Sequence, residues 1–409
     1  MKYDDIIIGG GLSGLLCAIS LAEKGRKCLI ISQGQSTLNF SSGSFEFINT
    51  QEGEDFEQAV AALPSRHPYQ KIGVDRLPRL RTSVAGLLDR AGIRTVGENE
   101  RNHLRITPFG ALKQTWLSLA EMTHFQKDEL PGRVLVVDIR GFLDFNASFI
   151  ASSLGQMGIQ ADTCEVYVQE TERLRDNASE FRSANIARVF NGYTIDRLAC
   201  AINEKATDVD FILLPAVFGL DKEEPARRML EKLDKPAAFI PTMSPSVPGI
   251  RLQRLLKQRF ISLGGMFLSA DTVCGGEIVD GRLVSVRALN HGDTRFEAEN
   301  FIFACGSFFS NGLKATQDKI YEPILGLDVD YEGGHGEWFA PDVYAEQPYM
   351  SFGVRTDKRL NVSLDGKTLE NAYAVGQLLS GASPIKSGCT GGVSAVSAVY
   401  AAEIILNQQ

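Results

Sequence analysis

The sequence predicts an α/β fold in which a discontinuous first domain is interrupted by an inserted second α/β domain. Three observations predict it. The chain opens on a strand–glycine turn–helix–strand unit over residues 3–34. Residues 55–240 then alternate helical patterns with short apolar strands. A buried strand and a helix rich in small residues follow near the C-terminus, at 372–376 and 391–406, and complete the opening unit from a distance. At 409 residues the chain exceeds one ordinary domain and has room for two.

The apolar run Ile6-Ile7-Ile8 reads as a buried parallel strand. Gly9, Gly11 and Gly14 follow in G-x-G-x-x-G spacing. Residues 15–24 have helical periodicity, Gly25 ends them, and Cys28-Leu29-Ile30-Ile31 is the next strand. Each glycine has its own task. Gly9 permits the tight turn, Gly11 lets a phosphate approach the backbone, and Gly14 lets the helix lie close to the strand. The uncovered N–H groups and positive dipole end of the helix favour an anion, so the unit points to a nucleotide or flavin site. Ser32 ends the second strand, where such sites usually place an acid for the ribose hydroxyls.

Residues 36–50 form a Ser/Gly-rich connection. Helical patterns are then expected at 54–63, 84–91, 147–155, 178–190 and 223–233, with strands at 134–137, 211–214 and 237–240. A helix at 250–263 precedes strands at 266–268, 272–273 and 283–286. The strand Phe301-Ile302-Phe303-Ala304 is closed by Cys305-Gly306-Ser307. The expected first domain is Rossmann-like and comprises 1–50, 245–310 and 355–409. Residues 51–244 and 311–354 form the inserted cap or partner domain.

The C-terminal element carries the second chemical signal. The strand Ala372-Tyr373-Ala374-Val375-Gly376 ends at Gln377, and a Ser/Gly loop leads to Gly391-Gly392 at a helix start. Glycines there leave N–H groups uncovered, and the dipole stabilises negative charge. In a flavin site that charge is the N1/C2 carbonyl edge of the reduced ring. A glycine turn feeding a packing helix is the alternative for this element taken alone.

Composition excludes several classes. Apolar residues at 44% and charged residues at 22% describe a globular chain with a sizeable core. Net charge −8 and pI near 5.4 leave no basic surplus for nucleic acid. No apolar run reaches the ~18 residues of a bilayer span, and Met1-Lys2-Tyr3 leads straight into the glycine unit without room for a signal peptide. The expected location is therefore cytoplasmic. None of the seven cysteines stands in a C-x-x-C pair, so no iron–sulfur cluster or zinc site is expected, and the five histidines lack metal spacing. Among the basic residues, Arg251 and Lys386 lie beside Gly/Ser/Pro loops and are candidates for a phosphate-bearing substrate. His335, within Gly333-Gly-His-Gly-Glu-Trp338, is a candidate base.

Together the N-terminal unit, Ala304-Cys305-Gly306 and Ala374-Val375-Gly376-Gln377 resemble the two-dinucleotide-binding flavoprotein superfamily. The branch is the one that includes fumarate reductases and glycerol 3-phosphate dehydrogenases. Unusual strings extend the resemblance along nearly the whole chain: Phe40-Ser-Ser-Gly-Ser44, Thr107-Pro-Phe-Gly-Ala-Leu-Lys-Gln-Thr-Trp116, Glu180-Phe-Arg-Ser-Ala-Asn-Ile-Ala-Arg188 and Pro241-Thr-Met-Ser-Pro-Ser-Val-Pro-Gly-Ile-Arg-Leu-Gln253. So do Gly306-Ser-Phe-Phe-Ser310 and Glu322-Pro-Ile-Leu-Gly-Leu-Asp328. These strings are similar to the B-subunit family of bacterial anaerobic glycerol-3-phosphate dehydrogenases.

The resemblance implies a three-subunit enzyme that oxidises glycerol 3-phosphate to dihydroxyacetone phosphate by hydride transfer from C2 to a flavin. Electrons then pass to quinone for fumarate or nitrate respiration. Its implied partners are a flavoprotein A subunit and an iron–sulfur C subunit that holds the complex at the inner face of the cytoplasmic membrane. It implies Gly9, Gly11, Gly14, Ser32, Ser42, Gly43, Gly306, Gly376, Gln377, Gly391 and Gly392 as flavin-binding residues. The implied cofactor is FMN. Ser32 and Gln377, standing where acids are usual, agree with FMN, and FAD is the alternative. Two rival readings are a self-sufficient flavin dehydrogenase of the fumarate reductase type and a flavin-free structural subunit.

Overall fold

Ile6, Ile7 and Ile8 form the end of strand β1 (Lys2–Ile8) and are buried. β1 lies between two parallel partners, β2 (Cys28–Ser32) and the strand Arg295–Phe303, which is why it is apolar on both faces. Helix α1 (Leu12–Ala22) joins β1 to β2. The computed structural model describes residues 2–177 and 180–408, and the chain divides into two compact units. The first is Met1–Thr37, Glu46–Ala91 and Leu256–Gln409. The second is Leu38–Phe45 and Gly92–Leu255.

In the first unit, parallel strands run in the order Met266–Ser269, β2, β1, Arg295–Phe303, Lys367–Ala374. Numbered along the chain this order is 3-2-1-4-5, the Rossmann-like arrangement, and its direction reverses between β1 and Arg295–Phe303. Arg295–Phe303 serves two neighbours in turn. Its start, Arg295–Glu297, pairs with the antiparallel strand Arg282–Ala288, and its end, Phe301–Phe303, pairs with Lys367–Ala374. Asn361–Leu364 extends the sheet beyond Lys367–Ala374.

Helix α1 packs against the C-terminal helix Thr390–Leu406, which in turn packs against Leu77–Arg90. Ala395, Ala398, Ala401 and Ala402 are all buried, so the C-terminal helix is covered all round and its small side chains admit close neighbours. At the start of β1, Asp5 is fully buried. It accepts from Arg26 Nε at 2.5 Å, Arg26 Nη2 at 2.9 Å and Asn300 Nδ2 at 3.0 Å, tying together β1, the α1–β2 connection and the neighbouring strand.

The second unit holds its own parallel sheet, in the order Ala237–Ile240, Phe211–Pro215, Arg133–Ile139, Gln160–Val166. Phe190 stacks on Phe218 at 4.7 Å between ring centres, and Phe218 meets Phe239 at 5.3 Å. The helix expected from residue 178 spans Ser183–Val189; its first two expected positions, 178 and 179, lie outside the described residues.

The partition differs from the expected boundaries. Residues 46–91 and 311–354 join the opening unit, while 38–45 and 245–255 join the other. The cause is long-range packing: Leu77–Arg90 lies on the C-terminal helix, and Val329–Asp330 pairs with Gly353–Val354.

Candidate flavin site

The glycine turn after β1 has the geometry its spacing demands. Gly9 sits at φ +118°, and a Cβ there would come within 2.3 Å of the Ala304 carbonyl oxygen. A Cβ on Gly14 would meet Gly9 O at 2.0 Å. Gly11 faces open space instead, its nearest neighbour being Ser36 Cβ at 3.9 Å. Helix α1 begins here with no side-chain cap and no acid in its first turn. Its first N–H groups and positive dipole end therefore face the crevice where the strand order reverses, as a phosphate group requires. The residues present fit the phosphate end of a flavin nucleotide.

Ser32 is buried against the same turn. A Cβ on Gly10 would approach its Oγ at 2.8 Å, and that hydroxyl donates to Gly34 O at 3.3 Å. Gly376, at φ +72°, is wedged between helices: its Cβ would lie 2.5 Å from Ser13 Oγ, and its N–H donates to Ser397 Oγ at 2.9 Å. Gln377 Nε2 donates to Thr390 O at 3.0 Å, tying the strand end to the start of the C-terminal helix. Gly306, at φ +74°, turns the chain after Arg295–Phe303, with Gly312 packed on its carbonyl. The structure thus brings Gly9, Gly11, Gly14, Ser32 and Gly376 into the turn and its packing shell.

Gly392 has a different task from the expected one. Its N–H already donates to Glu46 O at 2.7 Å, and a Cβ would meet Tyr69 Oη at 2.2 Å and Phe47 Cα at 2.8 Å. This glycine admits a close neighbour, which leaves Gly391 as the residue of the pair available to a ligand. Ser42 and Gly43 belong to the second unit. There Arg105 Nη2 donates to Ser42 O at 2.7 Å, Ser42 Oγ lies 3.0 Å from Ser44 Oγ, and Gly43 is held at φ +78°.

The three candidates for substrate chemistry are placed elsewhere. Arg251 is buried, paired with Glu121, and donates to Phe218 O at 3.1 Å and Gly219 O at 2.8 Å. Its donors hold the second unit together and do not await a phosphate. Lys386 makes an exposed ion pair with Glu346 at 2.7 Å. His335 is exposed, with its ring 5.2 Å from Trp338 and 6.2 Å from Phe339.

Two clusters in the first unit have no local sequence signal. His67, buried at the start of the helix Pro68–Ile72, accepts from Tyr69 N at 3.2 Å, and its Nε2 lies 3.7 Å from Cys389 Sγ. Burial holds the imidazole down to about 4 and pushes the thiol up to about 12, so the pair is neutral. Lys71, on the same helix, is half-buried and reaches Thr356 Oγ1 at 3.4 Å and Ser380 Oγ at 3.5 Å. Neither stands in a glycine-rich string, and only the packing of distant segments reveals them. Among the described residues, no helix is long and apolar enough to cross a membrane, and no group of three His, Cys, Asp or Glu side chains could hold a metal ion.

The FAD binding domain family matches residues 4–393. The B subunit of anaerobic glycerol-3-phosphate dehydrogenase from Yersinia pestis bv. Antiqua is 43% identical over 100% of this chain and 99% of its own length. The protein of the same name from Pectobacterium atrosepticum is 39% identical over the same shares. Among solved structures, 3-ketosteroid Δ1-dehydrogenase from Sterolibacterium denitrificans is similar over 100% of both chains, at 10% identity and a TM-score of 0.47. By its full-length relatives and its flavin-type dehydrogenase domain, the chain belongs to the family of anaerobic glycerol-3-phosphate dehydrogenase B subunits.

Proposed function

We propose that this chain is the flavin-bearing B subunit of a membrane-associated complex that oxidises sn-glycerol 3-phosphate to dihydroxyacetone phosphate. The observation that carries this reading is the full-length identity of 43% to a relative named for that role. A flavin supplies the two-electron acceptor that such an alcohol oxidation needs. For its finer identity we take FAD over FMN, because the family that matches the chain is an FAD-binding one. Ser32 in place of an acid favours FMN on sequence grounds alone. Its hydroxyl, buried against the glycine turn, leaves room for either.

Gly9, Gly11, Gly14 and the start of α1 hold the phosphate in this reading. Gly306, Gly376 and Gln377 shape the backbone around the cofactor, and the start of the C-terminal helix at Gly391 faces the negative edge of its ring. Ser42 and Gly43 contribute from the second unit. The partners are a flavoprotein A subunit and an iron–sulfur C subunit that anchors the complex at the inner face of the cytoplasmic membrane and passes electrons to quinone. The chain has no cysteine pair of cluster spacing, so a cluster on the route to quinone must come from a partner.

The test is glycerol 3-phosphate-dependent dye reduction by the purified complex, with mass analysis of the cofactor released from this chain. Turnover with a flavin on this chain supports the reading. Turnover by a complex in which this chain carries no flavin overturns its cofactor role.

A further inference from the structure

We propose that Lys71, with the hydroxyls of Thr356 and Ser380, grips the phosphate of the substrate. The inference rests on the glycerol 3-phosphate reading above and assigns the residues that recognise its anionic end.

The Lys71 ammonium has three donors, yet it makes only two long contacts, at 3.4 Å to Thr356 Oγ1 and 3.5 Å to Ser380 Oγ. Among the described residues no carboxylate lies within ion-pair distance of it. The two nearby acids are engaged elsewhere. Asp330 accepts from Arg355 Nε at 2.7 Å and Ser380 Oγ at 2.9 Å, while Asp357 Oδ1 accepts the N–H groups of Arg359 at 2.8 Å and Asn361 at 2.9 Å. A half-buried ammonium left with two neutral hydroxyls is under-compensated, and burial works against its charge. An anion between the ammonium and the buried hydroxyls removes that deficit.

The position suits a substrate. Ser380 lies in the loop that runs from Gly376-Gln377 to Gly391, the same loop that closes the candidate flavin site. Gly381, at φ +90°, lets that loop press onto the backbone leading to Lys71: a Cβ there would stand 2.3 Å from Arg66 O. One loop therefore links the cofactor elements to the ammonium. A phosphate monoester, with several oxygens on one centre, can meet an ammonium and two hydroxyls together, with lysine acting as a point charge.

The experiment compares wild type, Lys71→Met and Lys71→Arg in the assembled, flavin-loaded complex. KM and kcat for glycerol 3-phosphate are measured, with the flavin absorption of each preparation as the readout of folding and cofactor loading. The expected result for Lys71→Met is a KM raised about ten- to hundred-fold, the loss of one charged hydrogen bond, with kcat changed much less. Lys71→Arg should recover part of the loss. An unchanged KM in flavin-loaded Lys71→Met overturns the proposal and leaves Lys71 a structural cation. A fall in kcat or flavin content alone overturns it too. Failure of the underlying reading shows differently, in a flavin-loaded wild-type complex that does not turn over glycerol 3-phosphate.

Discussion

Arg251 and Glu121 form an ion pair in which both side chains are almost fully buried, 3% and 4% exposed. Removing one partner strands the other charge away from water. Arg251→Met is therefore expected to cost about 3–5 kcal/mol of stability in urea unfolding. Combining it with Glu121→Leu should recover much of the loss. A stable Arg251→Met protein with a raised KM for glycerol 3-phosphate would return Arg251 to the substrate.

Lys386 and Glu346 make the opposite kind of pair, with side chains 66% and 53% exposed. Solvent screens it, so Lys386→Ala should change stability by less than about 1 kcal/mol. Turnover of the complex should stay within about two-fold, since no transition-state contact is lost. A large KM effect in steady-state assays would contradict this placement.

Gly14 cannot accept a methyl group, because its Cβ would stand 2.0 Å from Gly9 O. Gly14→Ala must push α1 away from the turn, moving the N–H groups that hold a phosphate. Flavin content per chain, read by absorption after desalting, should fall at least about ten-fold, the equivalent of losing ~1.4 kcal/mol of binding. Full flavin retention would place the phosphate elsewhere.

His67 and His103 are both held down to about 4 by burial, against an ordinary 6.5. A depressed imidazole means that the unfolded chain binds more protons than the folded one between those values. Stability contributed by keeping them neutral is fully present above pH 6.5 and is lost as pH falls toward 4. Each accounts for up to about 3 kcal/mol at the acid end. The urea midpoint should drop across this window, and His67→Gln should flatten part of the slope. A midpoint flat from pH 6.5 to 4 in wild type would contradict the buried, neutral placement.

The opening unit was legible because its signals are local. A triple-isoleucine strand, glycines at fixed spacing and a helix ended by Gly25 each constrain neighbours in sequence. The paired strands Phe211–Pro215 and Ala237–Ile240 were legible as short apolar runs. Gln160–Val166 was not, since an edge strand with polar Gln160, Asp162, Thr163 and Glu165 lacks the apolar signal of its neighbour Arg133–Ile139. At the site, the roles of Gly9 and Gly14 follow from spacing alone. The engagement of Gly392 by Tyr69 and Glu46, of Arg251 by Glu121, and the exposure of Lys71 to two distant hydroxyls all depend on contacts between far segments.

The most direct test of the account is the visible absorption spectrum of the purified full-length chain, followed by mass analysis of whatever it releases. The account predicts a yellow protein with flavin bands, close to one flavin per chain, and a released mass matching FAD. A folded but colourless protein that takes up no added flavin would contradict it.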